Sequence, residues 1–189
     1  ARTGAERPFV FPSVCPVCAT PVERDTEKAV VRCPNRSCPA KLRERILHYA
    51  SRLAADIEGL GEKLVDTLLA AGLVSDIAAL YDLTVEAVAA LPRLGTVSAK
   101  NIIEAIARSR QIPLNRFIYA LGIRHVGERT ARALATHCGT LDRFLALTQS
   151  ESGAIPDVGI ETAQSVFAFL SDEEERALVR RLQVRGVVP

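Results

Sequence analysis

A chain of 189 residues with 48% hydrophobic content is long enough for one substantial core, or a core and a small satellite, and few aromatics beside much alanine and leucine favour packed helices over sheets. No apolar run reaches the roughly 18 residues that cross a bilayer and no signal peptide opens the chain, so a soluble, cytoplasmic protein is the expectation. The net charge of +2 names no partner, but it is unevenly laid down: nine basic against five acidic residues in 1–50, two against seven in 51–92, eight against two in 93–132, and five against eight in 133–189.

Residues 1–12 show no helical period and start without methionine, so they are expected to be the tail of a preceding domain or a linker. Residues 13–40 carry Cys15-Pro-Val-Cys18 and Cys33-Pro-Asn-Arg-Ser-Cys38, two tight loops separated by 14 residues. Each loop can present two thiolates to a tetrahedral zinc, and Pro21–Arg32 is about right for two short strands. An intracellular chain would not keep disulfides there. With all four ligands thiolate, no open position is left for catalysis, and the metal's task is to fold a segment too short to hold a core. Arg24, Lys28, Arg32 and Arg36 surround the group, as DNA contacts or as plain exposed charge.

From Lys41 to Ala54 the positions Leu42, Ile46, Tyr49, Ala50 and Leu53 follow a helical face, with His48 in a structural role. Beyond it one pattern recurs: an apolar residue, a glycine, three variable positions and a small apolar residue. It is written at Leu60-Gly61 with Val65, Leu94-Gly95 with Ala99, Val126-Gly127 with Ala131, and Val158-Gly159 with Ala163, the glycines spaced by 34, 32 and 32 residues. That is an internal repeat of helical hairpins. The glycine would permit backbone angles closed to other residues, and it removes the side chain that would hold off a ligand. The first amides of the helix it opens lack partners inside that helix and lie at its positive end, so each hairpin can hold a phosphate.

The four copies differ in charge. The first runs from Ile57 to a helix ending near Ala71-Gly72, in the most acidic stretch, and is expected to pack more than it binds. Residues 75–92 form linking helices with Thr84 as an N-cap and Leu91-Pro92 as a stop. In the second, Arg93 flanks the hairpin and Lys100 lies one turn in, on a helix whose apolar face is Val97, Ile102, Ile103 and Ile106; Arg108 and Arg110 suit its end. Pro113 begins the helix leading to the third, where Arg124 and His125 precede Val126, and Arg129 and Arg132 follow. The excess of basic residues in 93–132 places phosphate contacts at these two copies, against the plainer alternative of a solvated arginine-rich surface. His137-Cys138 is better read as packing than as a metal or nucleophilic pair. The fourth copy has Asp157 and Glu161 beside its glycine and should mainly complete the bundle, after which Ser171-Asp-Glu-Glu174 is a capping box for a last helix through Val184.

Cys-Pro-Val-Cys (15–18), Cys-Pro-Asn-Arg-Ser-Cys-Pro-Ala (33–40), Ile-Glu-Gly-Leu-Gly (57–61), Tyr-Ala-Leu-Gly-Ile-Arg-His-Val-Gly (119–127) and Pro-Asp-Val-Gly-Ile (156–160) together resemble the carboxyl-terminal half of bacterial NAD-dependent DNA ligase. The resemblance implies a mainly α fold: a four-cysteine zinc finger at 13–40, then a helix–hairpin–helix domain over 41–189 with hairpins near 57–61, 92–95, 124–127 and 156–159, preceded at 1–12 by the end of an oligonucleotide-binding-like domain. It implies structural zinc on Cys15, Cys18, Cys33 and Cys38. It implies a grip on nicked duplex DNA across the minor groove, with Arg93, Leu94, Gly95, Arg124, His125, Val126 and Gly127 at the phosphate backbone; the repeat and its flanking charge add Lys100, Arg129, Gly61 and Gly159 as expected DNA contacts, and no sequence preference is expected. NAD would be used by the adenylation domain of the parent chain. None of the lysines Lys28, Lys41, Lys63 and Lys100 opens the Lys-x-Asp-Gly motif that takes the adenylate, so this stretch should hold DNA at the bacterial nucleoid but not seal it. The rival expectations are a non-enzymatic DNA-repair scaffold and a helical protein-interaction module.

Overall fold

The computed structural model describes residues 9–25 and 30–189, so Lys28 and most of the 1–12 lead lie outside the described residues. The chain divides into two compact units, Ala1–Leu42 and Arg43–Pro189.

In the first unit, strands β1 (Glu23–Asp25) and β2 (Val30–Arg32) pair antiparallel with Arg24 opposite Val31, as the spacing between the cysteine loops predicts. The first loop closes on itself: the Cys15 amide donates to the Thr20 carbonyl at 2.8 Å and the Ala19 amide to the Cys15 carbonyl at 2.9 Å. The second loop is held by Asn35, whose side-chain oxygen accepts from the Ser37 amide at 2.9 Å. Helix α1 (Pro39–Ala50) starts directly after Cys38, whose carbonyl takes the Leu42 amide at 3.1 Å. The helix stops at Ala50, four residues before the periodicity does, because Ser51–Ala55 turn back on it: the Ala55 amide donates to the Tyr49 carbonyl and that of Ile57 to Ala50. Leu53, expected on the inner face, is therefore half exposed.

The second unit is all helix. After α2 (Glu62–Ala70) and a 3-10 turn (Ala78–Asp82) come α3 (Val85–Ala89), α4 (Thr96–Arg108), α5 (Leu114–Ala120), α6 (Glu128–Cys138), α7 (Leu141–Leu145), α8 (Gln149–Ala154), α9 (Ile160–Ser171) and α10 (Glu173–Val184). α3 packs on α4, α5 on α6 and α8 on α9, each pair joined by one of the glycine corners. Apolar residues at helical spacing fill the centre, among them Tyr49, Leu68, Ile77, Phe117, Leu134, Phe144 and Leu182. The polar groups buried with them are matched: the Tyr49 and Tyr81 hydroxyls meet at 2.7 Å, Tyr81 meets Ser109 at 3.0 Å, and Ser109 donates to the Ile106 carbonyl at 2.8 Å. Burial pushes both tyrosine pKa values up, so this chain of hydroxyls stays neutral.

The last helix closes the unit. Arg45 pairs with Glu175, Arg181 with Asp76 at 2.8 Å and Arg185 with Asp82 at 2.6 Å, while the Val188 amide donates to the Arg110 carbonyl at 2.8 Å. Arg110 lies over the Tyr81 ring and donates to the Arg185 carbonyl, so it belongs to this closure. Two local expectations need correction. α9 runs through Ser171, and the cap of α10 is Asp172, whose carboxylate accepts from the Glu174 and Glu175 amides at 3.0 and 3.3 Å. Val97, assigned to the apolar face of α4, is 74% exposed, because Ala99, Ile102, Ala105 and Ile106 form the buried stripe one position round.

Candidate nucleic-acid interface and metal group

The four glycine corners have one geometry. An apolar residue (Ile57, Leu91, Ile123, Ile155) offers its carbonyl to the amide three residues on (Leu60, Leu94, Val126, Val158) at 3.3, 3.2, 3.0 and 3.1 Å. All four of the first set are buried, as are Leu60, Val126 and Val158 of the second, with Leu94 half-buried, so each turn is pinned to the core on both sides. The third residue of the turn takes the left-handed conformation: Gly59 at φ +84°, Arg93 at +64°, His125 at +65° and Asp157 at +67°. The repeat glycine follows, and its carbonyl accepts from Val65, Ala99, Ala131 or Ala163 at 2.8 to 3.0 Å. Those four small residues are buried; at the second, third and fourth corners they let α3 close on α4, α5 on α6 and α8 on α9, while the residues leading into the first corner, Ser51–Ala55, are turn and not helix.

The repeat glycines do not occupy the left-handed position. Gly61, Gly95, Gly127 and Gly159 have φ between −73° and −108° with ψ near 180°, extended backbone open to any residue. The backbone at these positions therefore does not require glycine, contrary to expectation. The side chain that glycine lacks still matters: a Cβ on any of the four would meet nothing within 4 Å and would project into open space.

That space faces unpaired donors. None of the helices α2, α4, α6 and α9 has a side-chain cap. Among the described residues no acceptor takes the amides of Gly95, Thr96 and Val97, nor those of Gly127, Glu128 and Arg129. Gly95 and Gly127 are exposed. Three adjacent N–H groups at the positive end of a helix form a site for an anionic oxygen.

Side chains around the corners differ as the charge count implies. Arg93, Lys100, Arg124 and His125 are all exposed. Val126 is buried and Leu94 half-buried, so these two contribute backbone and hold the turn. Arg129 is exposed but engaged, its guanidinium 2.5 Å from Asp157 of the fourth corner. At the first corner, Glu62 and Asp66 on α2 are held by Arg43 at 3.0 and 2.5 Å; Arg43 keeps the Asp66 carboxyl below its ordinary range. Glu58 adds a third carboxylate there, 3.9 Å from Arg108. Contacts join the corners in pairs: Gly59 lies against Ile102 of α4, and the third and fourth corners meet through Arg129 and Asp157. Elsewhere His48 reaches the Tyr119 carbonyl at 2.8 Å, and Arg116 donates to the Ala54 carbonyl at 2.9 Å, clamping α5 to the turn before the first corner. Cys138 is buried and burial pushes its thiol up, which fits packing.

In the first unit the Sγ atoms of Cys15, Cys18, Cys33 and Cys38 all lie within 4.8 Å of one another, with Cys15 to Cys38 at 3.9 Å and Cys18 to Cys33 at 3.5 Å. A zinc–sulfur bond of about 2.3 Å places tetrahedral sulfurs roughly 3.8 Å apart, so the group fits that ion. The Thr20 hydroxyl and amide bring Cys18 down to about 5, while desolvation and then Cys18 push Cys33 up to about 12. Four thiolates this close repel one another, and a divalent cation removes the conflict. Arg24, Arg32 and Arg36 are exposed around it.

Comparison with known proteins agrees with both halves. Residues 14–40 match the NAD-dependent DNA ligase C4 zinc finger domain, 51–108 the SAM-like helix-hairpin-helix tandem, and 116–179 the helix-hairpin-helix motif. The chain is 50% identical to a DNA ligase of Carboxydothermus hydrogenoformans over 98% of its own length, and 45% identical to a DNA ligase of Geobacter sulfurreducens over 100%. It spans 28% of the length of each. Among the described residues no helix is long and apolar enough to cross a membrane.

Proposed function

Starting from the premise that this chain is the counterpart of the zinc-finger and helix–hairpin–helix segment of NAD-dependent DNA ligases, we propose that it grips nicked duplex DNA by its phosphates, without sequence preference, for an adenylation domain elsewhere in the parent protein. The observation that carries this is the pair of exposed, unacceptored amide rows at Gly95–Val97 and Gly127–Arg129, set in the most basic stretch of the chain.

Each row takes one phosphate oxygen on fixed N–H groups, and Arg93, Lys100, Arg124 and His125 stand around those oxygens. None of these groups can distinguish one base from another when they face the backbone, so they set position and not sequence. Two points anchored on one compact unit fix the orientation of a duplex more tightly than either alone, and that orientation is what a sealing domain needs. Zinc on the four cysteines folds the first unit and takes no part in chemistry; NAD and the adenylated lysine belong to the parent chain.

The test is binding of a labelled nicked duplex to the zinc-loaded chain across a salt titration. Affinity should fall steeply and linearly on logarithmic axes, because bound phosphates release counterions. A binding constant indifferent to salt would sink the proposal. Zinc analysis should return one ion per chain, lost in Cys18→Ser with collapse of the first unit; retention of the ion would remove the metal assignment.

A further inference from the structure

Arg129 carries a basic charge at the rim of the third corner, yet its nearest charged neighbour is the carboxylate of Asp157, 2.5 Å away, and both side chains face solvent. Asp157 holds the left-handed position of the fourth corner, where the other corners have Gly59, Arg93 and His125. It is thus the only acidic group at that place in the four copies, and the basic residue it faces stands two positions after the repeat glycine of the neighbouring copy.

We propose that Asp157 is a built-in competitor: its carboxylate occupies Arg129 in the free protein and must be displaced before that guanidinium reaches a phosphate at the third corner, so Asp157 limits both affinity and salt response. The chemistry is exchange of one oxyanion for another. Asp157 Oδ1 accepts from Arg129 Nη2, so a phosphate that takes that same edge of the guanidinium with two N–H bonds has to displace the carboxylate. The pair is exposed, and ion pairs of that kind contribute little to folding, which leaves it free to exchange. This inference rests on the proposed phosphate contact at the third corner.

The experiment measures nicked-duplex affinity of the zinc-loaded chain against salt for four proteins: unaltered, Asp157→Asn, Arg129→Gln, and both together. Asparagine is among the residues that accept the left-handed conformation, so Asp157→Asn removes the charge and keeps the turn. Asp157→Asn should bind roughly two- to fivefold more tightly at low salt, the range set by an exposed ion pair, and its log–log salt slope should steepen by about one. In the Arg129→Gln background the same exchange should change nothing. Unchanged or weaker binding by Asp157→Asn overturns the proposal. So does a gain of equal size in both backgrounds, because then Asp157 acts as general repulsion and not through Arg129. If the unaltered chain itself shows no salt-dependent binding, it is the phosphate-binding proposal that falls.

Discussion

Eight of the helices begin in one of two ways. α3, α7, α8 and α10 start at Thr84, Thr140, Thr148 and Asp172, whose side chains accept amides of their own first turn. α2, α4, α6 and α9 start at the repeat glycines with no side chain over their amides. The first kind closes its donors inside the protein and the second leaves them to solvent or ligand. A glycine at this place costs only a few tenths of a kcal/mol against a capping hydroxyl. Four open starts are therefore compatible with a stable fold, and their regular spacing ties openness to the repeat and not to chance.

The strongest way to break that comparison is to close the open starts. Valine tolerates extended backbone, so Gly95→Val with Gly127→Val should fold and melt as the unaltered chain does. Its branched side chain would stand before both amide rows. Losing hydrogen bonds to a charged phosphate at about 1.5–3 kcal/mol each should weaken DNA binding at least tenfold. The same exchange at Gly61 and Gly159 should do much less, since Glu58, Glu62 and Asp66 surround the first corner and Asp157 belongs to the fourth. Equal losses from both double variants would remove the distinction between the second and third corners and the first and fourth. A smaller effect is expected from Arg93→Gln or Lys100→Gln, each of which should lower affinity a few-fold for any duplex sequence and flatten the salt slope by about one. A change confined to one sequence would mean base contact instead.

Much of this was legible before any coordinates. The glycine spacing located all four corners, because a turn pinned by buried apolar residues on both sides leaves the same trace each time: Ile57 and Leu60, Ile123 and Val126, Ile155 and Val158. The cysteine spacing located the metal group for a similar reason, since ligand geometry restricts loop length. What failed was local and conformational. Left-handed backbone sits on Arg93, His125 and Asp157, which carry no sign of it in one sequence, and the glycine two positions later drew the conformational argument to itself. Val97 looked apolar and therefore buried, yet the buried stripe of α4 is satisfied without it. Asp157 was legible as an acid beside a glycine. Its hold on Arg129, 28 residues away in the chain, depends on how the third and fourth hairpins pack and leaves no local pattern.

The capped starts supply the converse experiment. Thr148 and Glu151 form a reciprocal box: the threonine hydroxyl accepts the Glu151 amide at 3.2 Å, and the glutamate carboxylate accepts the Thr148 amide at 3.0 Å. Thr148→Ala should cost about 1 kcal/mol of stability, read as a lower melting temperature, with DNA affinity unchanged. Glu151 offers a subtler measure. Arg143, 2.6 Å away, with Thr148 behind it, holds its carboxyl at about 2 against an ordinary 4.5. A depressed carboxylate stabilises the fold above its unfolded value and loses that contribution as pH falls through its folded one. The unaltered chain should thus lose stability between about pH 4.5 and 2 in part through this group. Glu151→Gln should be less stable near neutrality and show a shallower acid decline, while binding DNA as before. Identical acid slopes would mean that Arg143 and Glu151 are not paired in solution, and a change in DNA binding would mean that a capped start also meets the ligand.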